Sequence, residues 1–435
     1  MTFYIESLGC NKNQIDSEKM VSSLELSGWT MTDDPSEAEL IIVNTCAFIK
    51  SAKDEAVKTI FELLPCKQNG EGKCKKFVIA GCFAQRYSQE LKDEIPEADL
   101  IFGVGDVSKI AEAIKAEEKI VLPPYRDIQP ERHVMNYPGF VYLKISEGCS
   151  NHCTYCAIPI IRGEHRSRPS NIINEELTSL MQHHPHEINL IAQDTAFYGA
   201  DFADGQNIAT LAELLSQQLE PNDWLRVLYM HPDHINRTLL EQLHNCANFV
   251  PYFDIPFQNG SDHILKLMGR KHNSAYYLDL IKDIREVFPN AVIRSTFITG
   301  FPGENDDDAR QTLDFIRAAQ LDWVGGFTYS PEDDTPAVNM PNQVSEPKKK
   351  RRLNQLLDLA ESISHERMAR FIGTTQNVLI EEKVADEDLY IGRIWAQAPE
   401  VDGLTVVSGD DLVPGQMYQC EIRELNNNDF YAVEK

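Results

Sequence analysis

The chain has 435 residues, enough for two to four domains with cores of their own, and a formal net charge of −26. That charge argues against a protein that grips nucleic acid through a broad basic face; it suits solubility and a basic protein partner. Ten Cys behind an N-terminus without an export signal point to reduced thiols or metal ligands, and no stretch approaches the ~20 apolar residues of a membrane span. A cytoplasmic protein is expected.

Residues 1–120 read as alternating strands and helices. Thr2–Glu6 is a short strand, with Gly9-Cys10 at a turn and a helical pattern from Asn13 to Ser27. Leu40-Ile41-Ile42-Val43 is a continuous apolar run of the kind a buried parallel strand shows, and Cys46 follows it. A helix over 51–64, a strand over 76–80 with Gly81-Cys82 behind it, and a strand over 101–103 complete the series. Cys10, Cys46 and Cys82 thus each stand just beyond the C-terminal end of a strand. In an open parallel sheet those ends share one edge, where ligands collect. Three thiols distant in sequence are therefore expected to converge, the alternative being small buried hydrophobes. Cys66 and Cys74 flank a polar, Gly-containing loop and are expected to be exposed; Cys246 and Cys420 read as packing residues.

Residues 121–138, rich in Pro and charge, read as a linker. A second alternating series fills 139–370, with strands over 141–145, 187–192, 224–229, 252–255, 292–298 and 323–328. Helical patterns at 174–182, 208–218, 237–245, 274–287 and 307–319 separate them. Six such units predict a parallel α/β sheet, open or a partial barrel, whose active site lies at the C-terminal strand ends. Lys348–Arg352 is a basic pentamer, expected to be the solvated start of a long helix. Beyond Gly373 the pattern alternates with period two between turns at Gly403, Gly409 and Gly415, which predicts a small β-barrel over 371–435. That segment carries thirteen acidic and four basic side chains, a formal charge of −9.

The first strand of the second series runs into Glu147-Gly148-Cys149-Ser150-Asn151-His152-Cys153-Thr154-Tyr155-Cys156. Three thiols so close together cannot all pair as disulfides, but they can surround one metal centre. Thiolates favour zinc or iron–sulfur clusters. A four-iron cluster normally takes four Cys, so three leave one iron with an open position for cofactor chemistry. A structural zinc with His152 as fourth ligand is the rival.

These motifs resemble the radical S-adenosylmethionine methylthiotransferases over essentially the whole length. Cys149-x3-Cys153-x2-Cys156, Ile158-Pro159 and Arg162-Gly163-x2-Arg166-Ser167-Arg168 match the cluster region. Ser7-Leu8-Gly9-Cys10-Asn11-Lys12-Asn13, Asn44-Thr45-Cys46 and Gly81-Cys82-Phe83-Ala84-Gln85-Arg86-Tyr87 match the region of an auxiliary cluster, and the C-terminal barrel stands where the family has a TRAM domain. The resemblance implies an N-terminal methylthiotransferase domain over 1–120, a radical-SAM partial (β/α)6 barrel over 139–370 and a TRAM-like barrel over 371–435. It implies two 4Fe-4S clusters, on Cys149, Cys153 and Cys156 and on Cys10, Cys46 and Cys82. It also implies S-adenosylmethionine held by the Tyr155 backbone, Gln193, Gln258, Ser261, Arg294 and Thr296. The chemistry is borne by the cofactor, so no side chain is expected as nucleophile.

Two branches of the family differ in substrate: an aspartate β-carbon in small-subunit ribosomal protein twelve, or an N6-modified adenosine in tRNA. The Ser-Leu-Gly-Cys-x-Lys-Asn opening and Ala192-Gln193-Asp194-Thr195 resemble the aspartate branch. Asn259, in Gln258-Asn259-Gly260-Ser261, stands where that branch is expected to carry His. The acidic barrel would repel a polyphosphate and complement a basic ribosomal protein. A reductant and a sulfur donor are further expected partners of a monomer.

Overall fold

The computed structural model describes residues 1–68, 72–126, 132–135, 138–385 and 387–435. Part of the expected linker 121–138 and the tip of the loop between Cys66 and Cys74 lie outside them. The chain forms two compact units. The first comprises Met1–Met135, Glu147–Ser179 and Ser330–Val338; the second comprises Asn136–Ser146, Leu180–Tyr329 and Asn339–Lys435.

The first unit is built on a six-stranded parallel sheet. Its strands are β1 (Thr2–Ser7), β2 (Thr30–Met31), β3 (Leu40–Thr45), β4 (Lys76–Ala80), β5 (Leu100–Phe102) and β6 (Ile120–Val121), ordered β2-β1-β3-β4-β5-β6. All six residues of β3 are buried, as the apolar run Leu40–Val43 that opens it requires of a strand covered on both faces. Period two divides the core. Ile41, Val43, Phe77, Ile79 and Ile101 pack with Ala56 and Ile60 of the helix Lys50–Leu63. Leu40, Ile42, Val78, Leu100 and Phe102 pack with Met20, Val21 and Leu24 of the helix Asn11–Leu26. Each such buried Ile, Leu or Phe contributes about 1.5–3 kcal/mol. Ala157 and Ile161, which follow the second Cys cluster in sequence, join the first of these cores.

The two-residue edge strands β2 and β6 are too short to show a periodicity and were not expected. Cys74 also departs from expectation. It is buried, and its thiol faces the Lys76 carbonyl at 3.1 Å as the chain turns into β4, while Cys66 packs partly buried against the same core. Cys246 and Cys420 are buried, as read from the sequence.

Polar side chains on three segments of this unit meet at Glu176, on the helix Ser170–Leu180. Its carboxylate is fully buried, 2.7 Å from Arg168 and 3.5 Å from Arg132. Burial pushes its pKa up, but Arg168, Lys19 and Arg132 outweigh that and hold it down at about 2. A carboxyl depressed on folding stabilises the protein above its ordinary value of 4.5 and loses that contribution as pH falls towards 2. Acid unfolding of Glu176→Gln, followed by circular dichroism, is therefore expected to start from a stability lower by up to about 3 kcal/mol at neutral pH. It should then decline less steeply than wild type below pH 4.5. Parallel acid limbs would show that the pair contributes nothing.

The second unit joins a parallel sheet to a barrel. The sheet strands are β7 (Phe140–Lys144), β8 (Glu187–Ile191), β9 (Trp224–Val227), β10 (Phe249–Asp254), β11 (Val292–Thr299) and β12 (Trp323–Thr328), paired in chain order without closing into a ring. The five barrel strands are β13 (Thr375–Lys383), β14 (Leu389–Ile394), β15 (Thr405–Ser408), β16 (Met417–Asn426) and β17 (Asp429–Glu434), closed in the order β13-β14-β15-β17-β16. The last, β17, was not read from the sequence; its mixed polar pattern after a short turn hides it.

The loop between β14 and β15 fills the N-terminal end of the parallel sheet. Arg226 of β9 donates to the Trp395 carbonyl at 2.8 Å, and the Trp323 indole to that of Ala396 at 2.8 Å. Tyr142 donates to Glu400 at 2.8 Å and Tyr252 to Asp402 at 2.5 Å. At the centre, Glu187 takes Arg226 on one oxygen and Arg393 of β14 on the other, both at 2.6 Å and all three buried.

The basic pentamer is not simply solvated. It lies in the helix Glu346–Met368, where Lys349 and Arg352 are buried. Arg352 pairs with Glu304 at 2.8 Å and Lys349 donates to the Tyr329 carbonyl at 2.9 Å; Lys348, Lys350 and Arg351 are exposed. A Cβ on Gly300 would come within 2.2 Å of Lys349, so that glycine serves this helix.

Candidate metal centres and cofactor site

Cys10, Cys46 and Cys82 follow β1, β3 and β4, three neighbouring parallel strands, by one to three residues. Strand ends alone would not fix their side chains; a lattice of amides does. Asn13 Nδ2 donates to the carbonyls of Leu8, Asn44 and Thr45 at 2.7, 3.2 and 3.4 Å. Asn44 Nδ2 donates to the Asn13 carbonyl at 2.9 Å and to Ser17 Oγ at 2.7 Å. The Thr45 hydroxyl donates to the Ala80 carbonyl at 2.5 Å. Each cysteine-bearing turn is thereby tied to the next. Two glycines let the turns close. Gly9 (φ +90°) has no room for a Cβ, which would lie 2.5 Å from Cys46 Cβ, and at Gly81 (φ +89°) one would lie 2.2 Å from Asn44 Oδ1.

Burial, and then the neighbouring Cys10, raise the Cys46 thiol. Burial pushes Cys82 up to about 12 against the opposing charge of Arg162. A thiol that takes up a metal gives its proton up to it, and the metal's charge opposes such an upward shift.

Cys149, Cys153 and Cys156 are half-buried in a loop held from both sides. Cys149 N–H donates to the Gly163 carbonyl at 3.1 Å, Cys156 N–H to that of Cys153 at 3.0 Å, and Ala337 N–H to that of Thr154 at 2.9 Å. Gly148 (φ +73°) lies so close to Glu164 that a Cβ would sit 2.2 Å from its carbonyl oxygen. His152 is exposed with φ +51°, in contrast to the half-buried thiols around it.

The spacing of the sulfurs bears on the metal. Among the described residues, the group of three metal-binding side chains with all ligand atoms within 4.8 Å of one another is Asp194, His231 and His234; neither Cys trio draws that close. A tetrahedral zinc would hold its thiolate sulfurs about 3.8 Å apart. Three thiolates are the donor set of a four-iron group in which each binds its own iron and one iron stays open.

The polar residues expected around the cofactor lie in the second unit. Gln258 occupies the left-handed region (φ +71°), with its N–H on the Thr296 carbonyl at 2.9 Å and its own carbonyl on Ile298 N–H at 2.8 Å. Its Oε1 is buried without a hydrogen bond, as at a position built for a ligand. Arg294 and Thr296 share one face of β11 and touch at 3.3 Å. Arg294 also pairs with Asp254 at 3.1 Å and Asp402 at 3.3 Å. Ser261 is fully buried, its hydroxyl given to Asp308 at 2.6 Å. Asn259, where His was expected, accepts from Ser261 N–H at 2.9 Å and Thr312 Oγ1 at 3.0 Å; it braces the turn. Gln193 is half-buried two residues beyond β8, and Tyr155 is half-buried in the Cys149 loop of the first unit.

Three further groups have no role that the sequence alone points to. The amides of Asn13 and Asn44 stand in the quoted motifs, but which atoms they bridge is invisible without the sheet order. Arg162 and Asp16 pair across 146 residues. Asp194 meets His234 at 2.7 Å and accepts from His231 N–H at 3.2 Å, where burial and then Arg270 push His231 down to about 2. With the Arg270 guanidinium against His231 Nε2, a cation there would meet a fixed positive charge, so this cluster braces the strand-end loops.

A trio of thiols at the strand ends of one parallel sheet, a second trio in the Cys149–Cys156 loop, an open six-stranded parallel sheet and a closed five-stranded barrel fit a radical-SAM enzyme of the methylthiotransferase type. Family models agree by segment: uncharacterized protein family UPF0004 over residues 2–103, the radical SAM superfamily over 143–316 and the TRAM domain over 372–433. The chain is 40% identical over 432 residues to ribosomal protein uS12 methylthiotransferase RimO of Desulfosudis oleivorans, covering 97% of each. It is 40% identical over 433 residues to that of Clostridioides difficile, covering 98% of this chain and 97% of the relative. The chain belongs to the ribosomal protein uS12 methylthiotransferase RimO family. Among solved structures, the radical S-adenosylmethionine methyltransferase TsrM from Kitasatospora setae superposes with a TM-score of 0.57 at 14% identity, covering 78% of this chain and 76% of that one, a likeness of fold.

Proposed function

We propose that this protein transfers a methylthio group to the β-carbon of an aspartate in ribosomal protein uS12. The observation that carries the reaction type is the pair of thiol trios, each with three ligands for a four-iron cluster. When bound, S-adenosylmethionine and the two clusters supply a carbon-centred radical and the transferable sulfur. The chain's own part is to hold and orient. Cys149, Cys153 and Cys156 bind one cluster, and Cys10, Cys46 and Cys82, fixed by the Asn13–Asn44 lattice, bind the other. We assign the cofactor to Gln193, Gln258, Thr296 and the Tyr155 backbone. Arg294 and Ser261, committed to Asp254, Asp402 and Asp308, support those positions.

The substrate class rests on the named relatives and on the face of the small barrel. Among the described residues its exposed charges are Glu382, Glu387, Asp388, Glu400, Asp410, Asp411, Glu424 and Asp429 against Lys383, Arg423 and Lys435. Such a surface attracts a basic ribosomal protein and repels tRNA. No helix among the described residues is long and apolar enough to cross a membrane. We place the enzyme in the cytoplasm as a monomer served by a reductant and a sulfur donor. Anaerobic incubation of reconstituted protein with uS12 and with tRNA tests the reading by mass spectrometry. Methylthio-aspartate is expected; methylthio-adenosine with unmodified uS12 would overturn it.

A further inference from the structure

Arg162 ends the short helix Ile158–Arg162 and is 2% exposed. Its Nη1 meets Glu147 Oε1 at 3.0 Å, two residues before Cys149. Its Nη2 meets Asp16 Oδ2 at 3.0 Å, six residues after Cys10, and donates to Cys82 Sγ at 3.4 Å. Both carboxylates are 2% exposed as well. A single guanidinium thus touches the turn that opens one thiol trio, the helix that follows Cys10, and a sulfur of the other trio.

We propose that Arg162 is a positioning residue that sets the reduction potential of the centre on Cys10, Cys46 and Cys82, and links that setting to the Cys149 loop through Glu147. This rests on the reading that the trio holds a cluster. The physical reason is charge. Each electron added to a cluster makes it more negative, and a hydrogen bond to a ligand sulfur stabilises the reduced form. The planar fork of arginine lets one cation serve the sulfur and two carboxylates together. Without it, Asp16 and Glu147 become uncompensated buried anions beside the centre, and both push the potential down. Glu147 draws on the same cation, so the turn that opens the Cys149 loop shares the charge that acts on Cys82.

The test uses full-length protein with Cys149, Cys153 and Cys156 all replaced by Ala, so that one centre alone is loaded. Iron and sulfide analysis of this background comes first; absence of iron overturns the reading of the trio and the proposal with it. With iron bound, an EPR-monitored redox titration compares Arg162, Arg162→Lys and Arg162→Met. The expected result is a lower midpoint potential for Met and an intermediate one for Lys, which keeps the charge without the fork. A structural role alone would move thermal stability and leave the potential in place. Equal potentials for Arg and Lys, and for Met where it holds iron, would overturn the proposal while leaving the cluster intact. If the Met protein does not fold, the Arg–Lys comparison decides.

Discussion

Cys149→Ala protein, reconstituted anaerobically, is expected to hold about four irons where wild type holds about eight, and to make no 5′-deoxyadenosine from S-adenosylmethionine. Cys10→Ala should lose the same share of iron yet keep reductive cleavage of the cofactor, while forming no methylthio product. The two losses separate because the trios are fixed by different bonds. Cys10 caps a helix whose first turn is held by Asn13 and Asn44. The Cys149 loop hangs on Gly163, Cys153 and Ala337. Neither set of hydrogen bonds uses the other's thiols. Full iron in Cys10→Ala would remove that residue from the auxiliary site, and cofactor cleavage by Cys149→Ala would remove the loop from the radical chemistry.

Glu187→Ala is expected to destabilise the second unit by about 3–5 kcal/mol, read as a lower denaturant midpoint. Glu187 sits between two guanidiniums that have no water to turn to. Burial alone would push its carboxyl up, yet Arg393 and Arg226 hold it below its ordinary value. Truncation takes from Arg226 its carboxylate partner, leaving it the Trp395 carbonyl and the face of Tyr252 at 4.6 Å, and takes from Arg393 one of two, leaving it Glu381 at 2.6 Å. Glu187→Gln, which still accepts hydrogen bonds, should lie between wild type and Ala. A change under 0.5 kcal/mol for Ala, the range of an ordinary surface substitution, would show that the triad adds no stability.

The elements legible in the sequence were those whose cause is local. The run Leu40–Val43, bounded by polar residues, has the pattern of a strand buried on both faces, and the two-residue alternation after Gly373 has that of a sheet closing a core. Because parallel order places strand ends on one edge, Cys10, Cys46 and Cys82 could be brought together on paper. What stayed hidden depends on partners far along the chain. Glu187, Arg226 and Arg294 look like solvent-facing charges of half-buried strands until the loop 395–402 covers them. Lys349 and Arg352 look like part of a basic run until Glu304 and Tyr329 take them inside. The sequence reading also set the two trios on either side of a domain boundary at 121–138. Both trios fall within the first compact unit, because residues 147–179 return to it and bury Ala157 and Ile161 in its core. A return of the chain after an excursion leaves no periodicity to read.

The loop that fills the sheet's N-terminal end has a further consequence, for heredity. A barrel at the end of a chain looks like an accessory that recombination could exchange for another. Here the exchange is not free. A foreign barrel lacking counterparts of Arg393, Asp402 and the loop carbonyl at 395 would leave Glu187, Arg226 and Arg294 each short of one partner in the floor of the catalytic sheet, with only the pairs Glu187–Arg226 and Arg294–Asp254 remaining. Inheritance must therefore move these positions as a set, and a working graft has to carry the floor together with its stopper.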